Sequence, residues 1–358
     1  MAAGLRRAHR RRRPVSALVN ARTEPLISVI IPAYNAELHV CACLESVLAA
    51  PAPSLEVIAV DDASTDRTGA VIDAVAARDQ RVRPLHLGAN SGVHAARAAG
   101  LALARGRFLG FVDGDDWIAP GMFAQLTEAL EREHADIAIC GATCALAPGQ
   151  LAGPKVTFRA RRVIDDRLLE RFAQLEFGSG VLWNKLFTRD VLLPAARRPL
   201  ERAVDAAEDY IVNFGAFAAA TRVVTLPEPL YFYRLDPDSA TRRTGRAQSF
   251  CRTVRAYVVC LETYAAQRPG FAPLVDALYA RQLRFESYAV DGTEDLAPFQ
   301  AHLADSLVRL ARVHPPGVYA LVHAFDLPRA AAPTAVRPAV RQLRAALGGV
   351  GRALRGRW

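Results

Sequence analysis

The chain has almost no lysine: of its 45 basic residues only Lys155 and Lys185 are not arginine. With alanine so abundant, the formal net charge of +9 reflects genomic base composition as much as any ligand. Charge alone therefore makes no case for nucleic acid, and no recognised module or basic stretch interleaved with aromatics adds one. No apolar run reaches the length of about eighteen residues that a membrane span needs. The arginines of "LRRAHRRRRP" lead only into "VSALV", which lacks the apolar core of a secretory leader. The expectation is a cytoplasmic protein, at most peripheral on the inner face of a plasma membrane. The cysteines, Cys41, Cys43, Cys140, Cys144, Cys251 and Cys260, stand in C-x-C and C-x3-C spacings that match no paired C-x2-C zinc pattern. They read as reduced, mostly buried thiols. His39, His86, His94 and His134 are scattered, nothing like H-E-x-x-H occurs, and no G-x-G-x-x-G follows the first apolar run. Ser-His-Asp hydrolysis and dinucleotide chemistry are both without support.

What is present is a repeated alternation. "LISVIIPAYN", "LEVIAVDDASTD", "VRPLHLGANSG" and "RFLGFVDGDD" are apolar runs that end in polar residues, and the segments between them carry helical spacing. Such alternation predicts an open, mostly parallel α/β sheet with helices on both faces. Ligands on these sheets bind beyond the carboxyl ends of the strands. That is where Asn35, Asp61, Asp62, Asn90 to Gly92 and Asp113 to Asp116 fall. The expected organisation is a basic tail over 1–24, the α/β domain over 25–243, a helical region over 244–328 and a basic amphipathic tail over 329–358. In that tail Val336, Val340, Leu343, Leu347, Val350 and Leu354 form one stripe.

The stretch "FLGFVDGDDW" runs apolar residues into three aspartates within four positions. Crowded carboxylates at the end of a buried strand repel one another and lose hydration, so a shared cation is the first expectation. In an extended segment Asp113 and Asp115 would point one way and Asp116 another, while Gly114 would let the backbone approach a ligand. Hard oxygen ligands of this kind suit Mg²⁺ or Mn²⁺ completed by phosphate and water. A plain Asp-Gly turn followed by a helix-capping Asp is the competing reading.

Together "SVIIPAYN", "VDDASTD", "NSGVHAARAAGLALARGRFLGFVDGDDW" and "AEDYIVNF" resemble, in order and spacing, the inverting family 2 glycosyltransferases with their GT-A fold, over roughly Leu26 to Arg243. The resemblance implies a nucleotide-sugar donor, expected to be a UDP-sugar, and a glycan or glycolipid acceptor. It implies that Pro32, Tyr34 and Asn35 line the nucleoside pocket and that Asp62, helped by Asp61, addresses the base. Asn90, Gly92 and Arg97 would flank the nucleotide. Asp113 would be the ribose-side acid and Asp115, with Asp113, the holder of Mn²⁺ or Mg²⁺. Asp209 matches the general base and Glu208 its neighbour at the acceptor. Trp183, Lys185, Arg234 and Ser239 resemble family segments near the acceptor and phosphates. The chain departs from the family in Ala98, where Asn is common, and in Ala63, where Gly is common. The alternative is a catalytically silent scaffold that uses the same fold to bind a nucleotide or partner.

Overall fold

The computed structural model describes residues 25–49, 54–201, 204, 207–235, 245–266, 268–287 and 297–324. The basic tail over 1–24, the amphipathic tail over 329–358 and Ser239 lie outside the described residues. The apolar runs form the expected strands: β1 (Ile27–Ala33), β2 (Leu55–Asp61), β3 (Val82–His86) and β4 (Phe108–Phe111). Helices α1 (Val40–Leu48), α2 (Thr68–Ala76) and α3 (Val93–Leu103) connect them. β1 and β2 are buried along their whole length, as strands covered on both faces must be.

The second region supplies β5 (Trp117–Ile118), α4 (Met122–Glu133), β6 (Ile137–Ala147), β7 (Gln150–Val156) and β8 (Arg162–Ile164). After these come α5 (Leu168–Ala173), β9 (Lys185–Thr188), α6 (Arg189–Ala196), α7 (Glu208–Ala219) and β10 (Val223–Arg234). One mixed sheet of ten strands results, in the order β3-β2-β1-β4-β9-β6-β10-β5, with β7 on β6 and β8 on β10. β1 to β4 pair in parallel, and β9 runs antiparallel between β4 and β6. The chain walks from β1 outward to β3 and then returns to place β4 on the other side of β1. The crevice for a ligand therefore opens between the carboxyl ends of β1 and β4.

Alternate residues of β1 feed two cores. Val29 and Ile31 pack with Val40, Leu44 and Leu126 on one face, whereas Ile30 packs with Leu101, Phe111 and Phe187 on the other. The second core continues without a break into the last helices, α8 (Arg246–Cys260), α9 (Ala272–Ser287), α10 (Gln300–Val313) and α11 (Pro315–Ala324). Phe250, Val254, Tyr257 and Tyr279 share it with Phe214 and Phe217 of α7. No helix among the described residues is long and apolar enough to cross a membrane.

Candidate active site

β4 ends at Phe111, so the aspartates lie in a turn, closed by the Asp116 N–H donating to the Asp113 carbonyl at 3.0 Å. The expectation of alternation along an extended strand is corrected accordingly. At Gly114 a Cβ would come within 2.9 Å of the Pro32 carbonyl oxygen, so the turn needs glycine for its close approach to β1. Asp116 is a structural carboxylate: it accepts from the Tyr231 hydroxyl at 2.7 Å and from the Arg234 N–H at 2.7 Å. The helix beyond begins at Met122 after Gly121, without an aspartate cap. Asp115 is different: among the described residues no side chain hydrogen-bonds its carboxylate. Burial and the neighbouring Asp113 both push its pKa up.

Arg97, on α3 and 5% exposed, reaches across the crevice. Its Nη2 donates to Asp113 Oδ1 at 2.8 Å and its Nη1 to Asp209 Oδ1 at 2.6 Å and Glu208 Oε1 at 3.2 Å. Glu208 and Asp209 open α7, where the helix macrodipole favours carboxylates. They are not the exposed pair that a helix start alone would give, since Glu208 is buried and both contact Arg97. Desolvation first, and then Asp209, raise the pKa of Glu208, against the pull of Arg97. Burial likewise raises that of Asp113 despite Arg97. One guanidinium thus faces three carboxylates, with Asp115 beside them as a fourth. The excess negative charge, an Asp115 carboxylate without a side-chain hydrogen bond among the described residues and the all-oxygen donor set fit a divalent cation held by Asp115 and Asp113. Among the described residues no three His, Cys, Asp or Glu side chains form a complete metal cage.

The β1 and β2 loops lock together at the donor side. Asn35, at φ +48°, accepts the Thr65 N–H on Oδ1 at 2.9 Å, and its own N–H donates to Ser64 Oγ at 3.0 Å. Asp62 takes the Ser91 and Gly92 N–H groups on its two oxygens, each at 2.8 Å. In this structure it holds the turn that starts α3, and Gly92 sits there at φ +86°. Asn90 adds a long contact from Nδ2 to the Asp62 carbonyl at 3.4 Å. Asp61 accepts from Ser64 at 3.0 Å and lies 3.2 Å from His86 Nδ1, while His86 Nε2 lies 2.9 Å from Asp73. The two carboxylates, Asp73 more than Asp61, raise the pKa of His86. His86 stands in register with Asp61 in the β2–β3 pair, a pairing that the scatter of histidines along the sequence does not bring out. Tyr34 is 48% exposed beside the crevice, whereas Pro32 is buried in β1.

Two further candidates face inward. Trp183 is buried and stacks on Tyr231 with ring centroids 4.1 Å apart, so it belongs to the core. Lys185 is wholly buried, and its Nζ donates to the Asn184 side chain at 2.9 Å and to the Val181 and Ser179 carbonyls. Burial pulls its pKa down to about 7. Both side chains are thus engaged in packing and hydrogen bonds within the protein. Lys185 holds the loop whose Leu182 N–H donates to Asp209 Oδ2 at 3.1 Å. Asn213, one turn after Asp209, grips the same loop at the Gly180 carbonyl at 2.7 Å. Arg234 stays at the site: its Nε donates to the Asp115 carbonyl at 2.7 Å and its guanidinium stacks over Trp117.

The family model for glycosyl transferase family 2 matches residues 28–190, which include the donor-side residues and stop short of Glu208 and Asp209. The uncharacterized glycosyltransferase EpsJ of Bacillus subtilis is 35% identical over 219 residues, 61% of this chain and 63% of that one. The succinoglycan biosynthesis protein ExoO of Rhizobium meliloti is 30% identical over 230 residues, with the same shares. The match thus spans less than two thirds of either relative. Among solved structures, S. aureus TarS 1–349 in complex with UDP-GlcNAc superposes with a TM-score of 0.67 at 19% identity, covering 89% of this chain and 92% of that one. Mannosyltransferase PcManGT from Pyrobaculum calidifontis in complex with GDP-Man and Mn²⁺ gives 0.52 at 19% identity, over 91% and 87%. At that identity the structures establish a shared GT-A scaffold. Residues 28–190 are a family 2 glycosyltransferase domain, and the chain that carries them has the GT-A fold.

Proposed function

We propose that the protein transfers a sugar from a nucleotide-sugar donor, a UDP-sugar, to a hydroxyl of a growing glycan or glycolipid, with inversion at the anomeric carbon. The observation that carries this reading is the Arg97 bridge, which ties the donor-side Asp113 to the pair Glu208–Asp209. Displacement from an anomeric carbon needs charge neutralised on the leaving diphosphate and a proton taken from the attacking hydroxyl. Mn²⁺ or Mg²⁺, held by Asp115 with Asp113, would neutralise the diphosphate when bound. Arg234, whose Nε donates to the Asp115 carbonyl, adds a positive group beside it. Asp209 is the base. Arg97 and the Leu182 N–H fix its carboxylate while leaving lone pairs on both oxygens. A single base on the far face of the sugar predicts direct displacement.

UDP is supported by the TarS complex with UDP-GlcNAc on the same scaffold. A glycolipid acceptor would put the work at the cytoplasmic face of a membrane, with the basic tail over 329–358 as the anchoring segment. The test is calorimetric titration of UDP, GDP, dTDP and CDP with Mn²⁺ and again with EDTA, followed by turnover of the matching sugar donors. Metal-dependent binding of one nucleotide is expected, with UDP the tightest. A folded protein that binds none of them would sink the proposal in favour of a silent scaffold.

A further inference from the structure

The last helices do more than extend the core, for they hold the first turn of α7 on both sides of Glu208 and Asp209. Tyr279, on α9 and buried, donates its hydroxyl to the carbonyl of Ala207 at 3.2 Å. Ala207 sits at φ +56° immediately before Glu208, a conformation that costs a non-glycine residue energy unless its surroundings enforce it. Tyr264, in the π-helical turn Leu261–Ala265, donates to the carbonyl of Ile211 at 3.0 Å. Gly215 makes that contact possible, because a Cβ there would lie 2.3 Å from the Tyr264 hydroxyl. Between the two anchors, Tyr210 packs edge-on to Tyr279 at 5.6 Å and donates its hydroxyl to Gln282 of α9 at 3.3 Å. The backbone from Ala207 to Ile211 thus takes its position from the helical region after residue 245, whereas Arg97 and Leu182 hold the carboxylates from the sheet side.

We propose that Tyr279 and Tyr264 are positioning residues for Asp209, and that the C-terminal helices are part of the transferase unit. The inference rests on the reading of Asp209 as base. Each phenol donates to a backbone carbonyl that flanks Glu208 and Asp209, so each acts through the backbone there. A small displacement of a base costs far more rate than binding, up to about a hundredfold for an ångström.

The test uses full-length protein and measures nucleoside diphosphate release from UDP-, GDP- and dTDP-hexoses with Mn²⁺, the wild type selecting the donor. Tyr279→Phe and Tyr264→Phe keep the ring and remove only the hydroxyl. Each should lower kcat about tenfold or more, leave the donor KM within about twofold, and recover nothing from added metal. Tyr257→Phe is the control. Its hydroxyl donates to Asp276 at 2.7 Å in the same bundle, so it should lower Tm comparably and spare kcat. Unchanged kcat in folded Tyr279→Phe and Tyr264→Phe, or an equal loss in Tyr257→Phe, overturns the inference. Should one of the two variants fail to fold, the other is read alone. Asp209→Asn separates this from the underlying reading: if the wild type turns over no donor, or Asp209→Asn keeps full rate, the base assignment itself falls and takes the inference with it.

Discussion

The Nη1 of Arg97 lies 2.6 Å from Asp209 Oδ1, and the same guanidinium lies 2.8 Å from Asp113. Two stretches more than ninety residues apart in sequence are joined by one buried cation. Its Nε has no hydrogen-bond partner among the described residues, so both ends of the fork are committed to carboxylates. Removing it would strand three carboxylates, the buried Glu208 and the half-buried Asp113 and Asp209.

Arg97→Met is therefore expected to cost about 3–5 kcal/mol at pH 7.5, the range for breaking a buried ion pair from one side. Without the guanidinium the carboxylates hold protons more tightly in the folded state than in the unfolded state. A raised folded pKa gives stability that is present at low pH and lost as pH rises. The deficit relative to wild type should shrink between pH 7.5 and 5.5 in urea unfolding. A deficit independent of pH would mean that Arg97 matters for packing, not charge.

Asp115 and Asp116 are neighbours with opposite expectations. Asp115 has a raised pKa from burial and Asp113, so Asp115→Asn relieves repulsion and should leave the metal-free protein equally stable or more stable at pH 7.5. It should lose the Mn²⁺-dependent part of UDP binding, and the thermal shift that Mn²⁺ gives the wild type should vanish. Burial and the neighbouring carboxylates raise the pKa of Asp116 as well, but Asp116→Asn also removes the acceptor of the Arg234 N–H or the Tyr231 hydroxyl and should cost about 1–3 kcal/mol. Equal effects of the two substitutions on Tm would contradict the division of labour.

The four parallel strands and the crevice between β1 and β4 were legible because burial on both faces writes continuous apolar runs, and because the strand ends carry the polar residues. The acids at Asp113, Asp115 and Asp209 were legible through a family pattern. The rest depended on tertiary contacts that leave no local mark. Lys185 and an exposed phosphate-binding lysine look alike in sequence, and only β9 entering the sheet between β4 and β6 decides that this one is buried. Gly114 suits a ligand or a neighbouring strand equally well in sequence, and only the fold shows Pro32 beside it. Gly180 is similar: a Cβ there would fall 1.3 Å from the Tyr210 ring, a constraint set from a helix thirty residues on.

Lys185 makes its own pH prediction. Burial lowers its pKa from 10.5 to about 7, so between those values the unfolded chain binds more protons than the folded one. Stability from this group therefore rises with pH across that window. Lys185→Met abolishes the slope and also takes a donor from the Asn184 side chain and from the Val181 and Ser179 carbonyls, of which Val181 keeps Asn213, at a cost of about 1–3 kcal/mol. The variant's deficit should grow from pH 7 to pH 9.5 when the two proteins are unfolded in parallel. A deficit that narrows over that range would place the ammonium in a better-compensated site than the carbonyls provide.

Ala63 offers a prediction of the opposite sign. It follows Asp61 and Asp62, stands where the family commonly has glycine, and adopts φ +56°. The left-handed region costs an L-residue with a Cβ roughly 1–2 kcal/mol, and glycine enters it freely. Against this, glycine loses more chain entropy on folding, by roughly 0.5–1 kcal/mol relative to alanine. The strain is the larger of the two, so Ala63→Gly should be neutral to stabilising by up to about 1 kcal/mol, where an Ala→Gly change in an ordinary loop would destabilise. The same turn presents Asp61 and Asp62 at the donor side, so relief of strain should leave UDP affinity unchanged or improved. Urea unfolding and calorimetry on the single variant decide it. A loss of 1 kcal/mol or more would show that Ala63 is held at positive φ without strain, through contacts of its methyl group.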